Sequence, residues 1–221
     1  MRRAFSTLPR KVWRCSLKAG ELCSTAGKRR YWPVWLAFNR YLTIWPDCEH
    51  ADEVKNYLTV VEEERLKRIS TVDLPPEDAD VVLQLHEDSL LEMAQRHMEE
   101  CVSLCQSVIS KAPTFVAAYN NLAISLWQLG ECDQATSVLE QAFAIPNCNA
   151  FTKALLAKYS LTAGKLDAAN CLADQLIDIP LSYEDAAIPV CELLAMLGRD
   201  EDLLKFVVDN SSLQEKSGVA A

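Results

Sequence analysis

The chain has 221 residues, half of them apolar, and a formal net charge of −9. That length allows one or two domains, and the six glycines together with the lack of alternating apolar stretches exclude an all-β fold. The charge is uneven, because residues 1–30 carry nine Lys or Arg and one acid, whereas the remainder carries 13 basic and 30 acidic residues. An acidic body repels phosphate backbones, which disfavours nucleic acid as the main ligand.

The basic segment, residues 1–30, is poor in acids and contains serines. Lys11, Arg14 and Lys18 are three and four residues apart, so a helix would present them on one face. These features predict a mitochondrial transit peptide that delivers the protein to the matrix or to the matrix face of the inner membrane. The alternative is a basic arm that stays on the mature protein and binds acidic lipid or RNA.

An aromatic segment follows at residues 31–46, where Pro33 can open a helix and Pro46 can end it. It is too short to cross a bilayer. Three interpretations remain open: its apolar stripe caps the core of a following array, docks into a partner subunit, or makes peripheral contact with a membrane surface. The stripe has spacings of three, four and three and consists of Trp35, Phe38, Leu42 and Trp45, of which Trp35, Phe38 and Trp45 are the candidate partner-binding residues.

The next segment, residues 47–78, is highly charged and begins with the potential metal ligands Asp47, Cys48, Glu49 and His50. Acids in this place favour the positive end of a helix dipole, so we predict a cap on a helix from about Asp52 to Ile69 rather than a metal site. Pro75 and Pro76 mark a linker or the start of another helix. Residues 31–78 are therefore predicted to be N-terminal helices that precede the main domain.

Three glycines, Gly130, Gly164 and Gly198, lie 34 residues apart, each between two stretches with helical apolar spacing. Each glycine can adopt the positive φ that a tight interhelical turn often needs. Residues at i and i+4 share one side of a helix, so aligned positions around the glycines would form buried stripes. The positions that keep the interval are Ala123, Ala157 and Cys191; Ala135, Ala169 and Leu203; and Leu139, Ala173 and Val207.

This pattern resembles the tetratricopeptide repeat (TPR) family, in which about 34 residues form an antiparallel helix pair. Residues 116–149 match best and residues 150–183 match less well. In the last unit, residues 184–210, Pro189 should kink or shorten the first helix. A degenerate unit precedes all three, and Arg96 replaces its glycine.

The resemblance implies an all-α fold: a short right-handed α-solenoid of three or four antiparallel helix pairs over residues 79–210, preceded by extra N-terminal helices. Residues 211–221 are then a flexible C-terminal tail. The nearest competitor is the pentatricopeptide type of helical repeat, which usually binds single-stranded RNA and needs positive charge on its surface.

A partner-binding surface is also implied, because the first helices of successive pairs line a groove in the resembled family. Trp127 is the preferred anchor, although a tryptophan beside an interhelical turn can equally be buried between repeats. The groove residues suit an apolar helix or an extended peptide with a few polar fixings. They are Asn120, Ile124, Trp127, Gln128, Phe151, Lys158, Leu161, Asp185 and Glu192.

No feature of the sequence predicts catalysis. The three histidines lie in no recognisable catalytic motif, and neither a phosphate-binding loop nor a hydrolase motif is present. The nine cysteines form no CxxC pair and show no zinc spacing, which indicates structural thiols in a reducing compartment. We therefore predict that the protein is not an enzyme and binds no metal or cofactor. A further hypothesis is a hydrolase or redox enzyme that uses Cys101 and Cys105.

Together these observations predict a non-catalytic protein–protein interaction module, a structural subunit or assembly adaptor of a mitochondrial multiprotein complex. Its partners are expected to be other protein subunits of a large complex, and nucleic acid is disfavoured as a partner. The sequence predicts no transmembrane span in this chain. The alternative is an RNA-associated helical repeat protein of the mitochondrial ribosome or of the transcript-processing machinery.

Overall fold

The computed structural model describes residues 31–47, 49–146, 148–178 and 187–210. Within these ranges the chain forms ten helices and no strand, and none of these helices is long and apolar enough to span a membrane. The predicted transit peptide, the predicted tail and Asp185 lie outside the described residues. The helices α1 to α10 are Tyr31–Ile44, Ala51–Ile69, Pro76–Ala94, Met98–Lys111, Val116–Gln128, Cys132–Phe143, Ala150–Thr162, Leu166–Ile177, Ala187–Met196 and Asp200–Asn210.

Contacts divide the chain into two compact units, Met1–Glu87 and Asp88–Ala221, and the division falls within α3. Unit 1, as described, contains α1, α2 and the first part of α3. Unit 2 contains the last turns of α3 and the helices α4 to α10. The all-α class expected from the composition is therefore confirmed.

Helices α1 and α2 of unit 1 pack against each other. Pro33 is the third residue of α1, where its missing N–H leaves no helical hydrogen bond unmade, and α1 ends two residues before Pro46. Helix α2 has acids in its first turn and bases in its last turn, an arrangement that favours the helix dipole at both ends. The predicted helix over residues 52–69 is thereby confirmed, and Pro76 begins α3.

A polar network holds α1 against the first part of α3 in unit 1. The Trp32 indole N–H donates to Asp80 at 2.7 Å, and the Trp32 backbone N–H donates to Glu87 at 3.1 Å. Glu87 is only 3% exposed, and its second carboxylate oxygen accepts a hydrogen bond from Arg68 at 3.3 Å. A buried carboxylate needs such donors, because an unpaired buried charge is strongly destabilising.

Unit 2 is a stack of helix pairs. Helix α5 pairs with α6, α7 with α8 and α9 with α10, while α5 contacts α7, α7 contacts α9 and α8 contacts α10. The small residues Ala123 and Ala157 are fully buried, as are Ala135 and Ala169. Their size allows the helices to approach closely, so the aligned positions form the core as the 34-residue interval predicts.

Four interhelical turns share one geometry at the same interval. The residue at the turn has a positive φ in each case: 65° at Arg96, 87° at Gly130, 78° at Gly164 and 68° at Gly198. The next N–H closes each turn on the carbonyl oxygen five residues earlier, which is the Schellman ending of a helix. These bonds are His97 to Glu92, Glu131 to Leu126, Lys165 to Ser160 and Arg199 to Leu194, all 2.9 Å. Unit 2 is thus a TPR-like array in which Arg96 takes the place of a glycine.

The last helix departs from the predicted pattern. Leu139 and Ala173 are fully buried, but Val207 at the equivalent position is 48% exposed, and Phe206 is buried instead. The prediction of a buried Val207 is therefore wrong. The physical reason is that α6 and α8 each pack against a following helix, whereas α10 is the last helix of the described chain.

Pro189 is the third described residue of α9 and is buried. Helix α9 has 10 described residues, compared with 13 in each of α5 and α7.

Candidate partner-binding site

The candidate site lies on the first helices of successive pairs, α5, α7 and α9. We call the side of these helices that carries Ile124, Trp127, Gln128, Phe151, Lys158, Leu161 and Glu192 the first-helix face. Three side-chain pairs join neighbouring helices along it: Asn120 with Thr152, Trp127 with Tyr159, and Lys158 with Glu192. The structure therefore brings the predicted residues together and fixes several of them by contacts within the array.

Trp127, the predicted anchor, is half-buried. Its ring stacks on Tyr159 with 4.0 Å between ring centroids and an angle of 17° between the planes. Burial raises the pKa of Tyr159 well above its ordinary value, so the phenol under the tryptophan is neutral. Trp127 is thus packed between repeats and still exposes part of its surface. Both a role in packing between repeats and a role as a binding anchor are compatible with the structure.

Asn120 is buried, with 5% of its surface exposed. The Thr152 hydroxyl lies 2.9 Å from Asn120 Oδ1 and 3.0 Å from Asn149 Oδ1, and it can donate to one of them at a time. Asn149 is the N-cap of α7 and accepts the Thr152 backbone N–H at 3.0 Å. Asn120 therefore positions the start of α7, and its contact with a partner stays a prediction.

Lys158 and Glu192 form an ion pair between α7 and α9. The two residues occupy the same position in successive repeats, and the Lys158 side chain is 20% exposed while that of Glu192 is 51% exposed. Because the two charges are paired, this part of the face has no net charge.

The remaining predicted residues of unit 2 are accessible. Ile124, Phe151 and Leu161 are half-buried, and Gln128 is exposed. Gln128 lines an open depression of about 460 Å³ together with Arg96, His97, Met98, Glu99, Glu100 and Leu129. Polar and charged groups are thus available beside Gln128, in addition to the Lys158–Glu192 ion pair.

Two accessible residues of α9 were missed from the sequence. Ile188 is 66% exposed and Met196 is 52% exposed. They lie four residues on either side of Glu192, so all three share one side of α9. That spacing was visible in the sequence, and it would have extended the apolar part of the site.

The aromatic stripe of unit 1 mostly packs within that unit. The Arg65 guanidinium lies over the Trp35 ring at 4.4 Å from its centroid, and Phe38 contacts Tyr57 of α2 at 6.3 Å between centroids. Trp45 is 37% exposed and makes a ring contact with Tyr41 at 5.6 Å. Docking of this stripe into a partner stays a prediction, and Trp45 is its most accessible member.

Trp32 was not singled out from the sequence, although it is one of the largest fully buried side chains. Its burial could have been predicted from chemistry, because a buried indole N–H needs a hydrogen-bond acceptor and acidic residues are present in α3. The spacing of the stripe alone did not include it.

The cysteine pair of α4 is fully buried, with 3.9 Å between the Cys101 and Cys105 Sγ atoms. The hydrogen bond with Cys101 and burial raise the pKa of the Cys105 thiol, which keeps it protonated. Burial also raises the pKa values of Cys148 and Cys191. No group of three His, Cys, Asp or Glu residues that could hold a metal ion occurs in the described part of the chain.

Comparison with known proteins adds little to this geometry. No protein-family model matches the chain, and no curated protein matches it. Among solved structures, it is similar to the crystal structure of nearly identical TPR-like repeats from a Podospora anserina protein assigned as a kinesin light chain. The identity is 15%, the match covers 84% of this chain and 95% of that chain, and the TM-score is 0.42.

A likeness at that level carries no argument about function. The class of the protein follows from its own four equivalent turns and stacked helix pairs: it is a TPR-like helical repeat protein. Arrays of this type present extended surfaces to other proteins.

Proposed function

We propose that this chain is a non-catalytic protein-interaction module that serves as a structural subunit or assembly adaptor of a mitochondrial multiprotein complex. The observation that carries the proposal is the first-helix face, where apolar side chains stay accessible on three stacked helices. Ile188 and Met196 are exposed, and Ile124 and Leu161 are half-buried. Accessible apolar groups on a fixed scaffold are typical of a binding surface.

The chemistry of the face selects the class of partner. The Lys158–Glu192 pair removes net charge, and the stacked Trp127 offers a rigid aromatic surface. Rigid aromatic groups are common binding anchors because little side-chain entropy is lost when they bind. An apolar helix or an extended apolar peptide with a few polar groups near Gln128 fits this surface best.

The mitochondrial part of the proposal is supported by the composition of residues 1–30, which are basic and contain one acid. The acidic remainder of the chain supports protein rather than nucleic acid as the partner of the array. A structural subunit or an adaptor is favoured because several predicted site residues are engaged within the array, which suits one fixed assembly.

The test uses the full chain with a C-terminal epitope tag in cells, followed by native electrophoresis and crosslinking mass spectrometry of gentle mitochondrial extracts. We expect the chain to migrate with a large complex and to crosslink through α5, α7 and α9. A variant with Ile124→Ser and Leu161→Ser should leave that complex. The matched control is Leu166→Ser in α8, which removes a leucine that is 54% exposed away from the first-helix face.

A monomeric chain with no co-purifying protein would overturn the proposal. Circular dichroism must show that both variants remain helical, so that a loss of the complex reports a lost contact. Deletion of residues 1–30 should abolish import into isolated mitochondria. Retention of that segment on the mature protein, together with a salt-sensitive RNA crosslink to it, would instead support the RNA-associated alternative.

A further inference from the structure

The last described helix of the array has an accessible apolar side. Leu204 is 67% exposed, Val207 is 48% exposed and Val208 is 61% exposed. Their spacing of three and four residues places them together on one side of α10, away from the buried Phe206. We call the side formed by Asp200, Glu201, Leu204, Val207 and Val208 the α10 outer face.

Two positions of this side, those of Leu204 and Val207, are buried in α6. Two 34-residue intervals before Leu204 and Val207 lie Thr136 and Leu139 of α6, which are 9% and 0% exposed. Helix α6 packs against α7, the first helix of the following pair. In α8, which packs against α9, Ala173 at the position of Val207 is also fully buried.

Leu204 and Val207 therefore lie where a following helix pair covers α6, whereas Glu140 and Asp174 at the position of Val208 are exposed. No such pair follows α10 within the described residues. Leu204 lies one helical turn from both Val207 and Val208, so three exposed aliphatic side chains cluster on α10, and clustered exposed apolar groups mark interaction sites.

The charge around the patch is negative. Asp200 and Glu201 lie one turn before Leu204 on the same side of α10, and both are exposed. Two bases close to these residues in sequence form ion pairs: Arg199 pairs with Asp174 and Asp202, and Lys205 pairs with Asp178, each at 2.7 Å. The field at the patch therefore favours a cationic partner and opposes a second copy of the same acidic face.

We propose that the α10 outer face binds a helix of a partner protein whose apolar residues are flanked by Lys or Arg. The partner helix would take the place that α7 has against α6. The proposal rests on the proposed function as an interaction module and adds a second surface, distinct from the first-helix face, with a partner of opposite charge.

The test uses a defined probe, a fluorescent 18-residue peptide of Leu and Lys with all leucines on one helical side, titrated onto the full chain and followed by anisotropy. We expect the Leu204→Ser, Val207→Ser variant to bind it about tenfold more weakly or worse, as at an apolar hot spot. Asp200→Asn with Glu201→Gln should weaken binding by about threefold and reduce its salt dependence.

Three matched controls make the result specific. Leu166→Ser removes an isolated leucine, 54% exposed, and should bind the peptide like the unaltered chain. A Leu and Glu peptide with the same pattern should bind at least about tenfold more weakly, because like charges oppose it. The Ile124→Ser, Leu161→Ser variant should bind the Leu and Lys peptide normally, which separates this proposal from a failure of the first-helix face.

Equal peptide binding by the Leu204→Ser, Val207→Ser variant and the unaltered chain would overturn the proposal. So would a dimer, detected by sedimentation, that this variant converts to monomer, since a second copy would then cover the patch. Tighter peptide binding after deletion of residues 211–221 would show that this chain's own end covers it, and would also overturn the proposal. Melting curves should confirm that every variant is folded, above all the Ile124→Ser, Leu161→Ser variant, because Ile124 and Leu161 are half-buried and the other substituted side chains are exposed.

Discussion

The two units of this chain are stabilised by different means. In unit 1, Trp32 donates hydrogen bonds to Asp80 and Glu87, and Arg65 lies over Trp35, so charged groups take part in holding the helices together. In unit 2, small and aliphatic residues that recur every 34 positions dominate the contacts between helix pairs, and the ion pairs Lys158–Glu192, Arg199–Asp174 and Lys205–Asp178 have partly exposed side chains.

A periodic core and an individual polar network produce different patterns in a sequence. A repeated core needs the same size of residue at the same interval, because each helix pair packs on the next in the same way. A buried carboxylate needs only some donor within reach, and the donor can come from any position.

The largest effect is expected from a cavity in the periodic core. Leu139→Ala removes a fully buried side chain and should lower the free energy of unfolding by about 2–5 kcal/mol. Val207→Ala changes the equivalent position of the last unit, which is exposed, and should change that free energy by less than about 0.5 kcal/mol. Urea unfolding followed by circular dichroism measures both.

Equal effects of the two substitutions would contradict the exposed position of Val207 and would place α10 in the same register as α6. Hydrogen exchange followed by mass spectrometry locates the loss. Protection should fall in α5 to α8 for Leu139→Ala and stay unchanged in α1 and α2, because each unit has its own contacts.

The fold of unit 2 was largely predictable from residues such as Ala123, Ala157 and Gly164, since sterics dictate what these positions accept. The exposure of Val207 was not predictable, because the interval alone does not show whether a further helix packs on α10, and none does within the described residues. Arg96 shows the reverse: the sequence lacks the glycine, yet the Schellman turn forms, because the helices on both sides fix it. The burial of Trp32 was not predicted, because it depends on hydrogen-bond acceptors in α3.

The second effect tests the polar network of unit 1. Glu87→Gln keeps the size of the side chain but replaces the charged acceptor of the Trp32 N–H and of Arg68. Hydrogen bonds to charged groups contribute about 1.5–3 kcal/mol, so we expect a loss of that size in unit 1. Hydrogen exchange of α1 and α3 should show it, while α5 to α8 should stay protected.

The control for this substitution is Glu63→Gln, which makes the same change on an exposed carboxylate of α2. It should leave the exchange of both units unaltered. A loss of protection as large as that of Glu87→Gln would mean that net charge, rather than the buried network, determines the stability of unit 1.

The third prediction concerns the interhelical turns. Substitutions at the equivalent positions Gly130 and Arg96 should change the free energy of unfolding in opposite directions. An added Cβ at Gly130 meets no atom within 4 Å, so Gly130→Ala reports only the positive φ. A residue with a Cβ loses about 1–2 kcal/mol in that conformation and regains part of it through a less flexible unfolded chain, which leaves a net loss of about 1 kcal/mol. Arg96→Gly removes the same strain and should stabilise unit 2 by about 0.5 kcal/mol.

Thermal and urea unfolding of the two variants measure these changes. Destabilisation by Arg96→Gly would show that the Arg96 side chain itself contributes to the fold, and the equivalence of the four turns would then hold for the backbone alone. Arg96→Ala is the matched control, because it keeps the strained φ and removes only the rest of the side chain.

The candidate site was predictable only in part. Ile124, Phe151 and Leu161 lie where the repeat pattern predicts, since a helix face follows from residue spacing. The engagement of Asn120 by Thr152 was beyond the sequence, because the two residues come from different helices and their contact depends on how α5 and α7 pack. Binding itself remains a prediction for every residue of the site.

The smallest effect is expected from the ion pair on the first-helix face. Lys158→Met removes the cation and keeps most of the aliphatic stem, whereas Glu192 remains half-exposed and can be hydrated. Surface ion pairs contribute about 0–1 kcal/mol and are screened by salt, so unit 2 should lose less than about 1 kcal/mol, and the loss should shrink further at high ionic strength. Urea unfolding at low and high salt measures it. A larger loss that resists salt would mean that charge contributes to the stability of unit 2 as it does to that of unit 1, and the contrast between the two units would no longer hold.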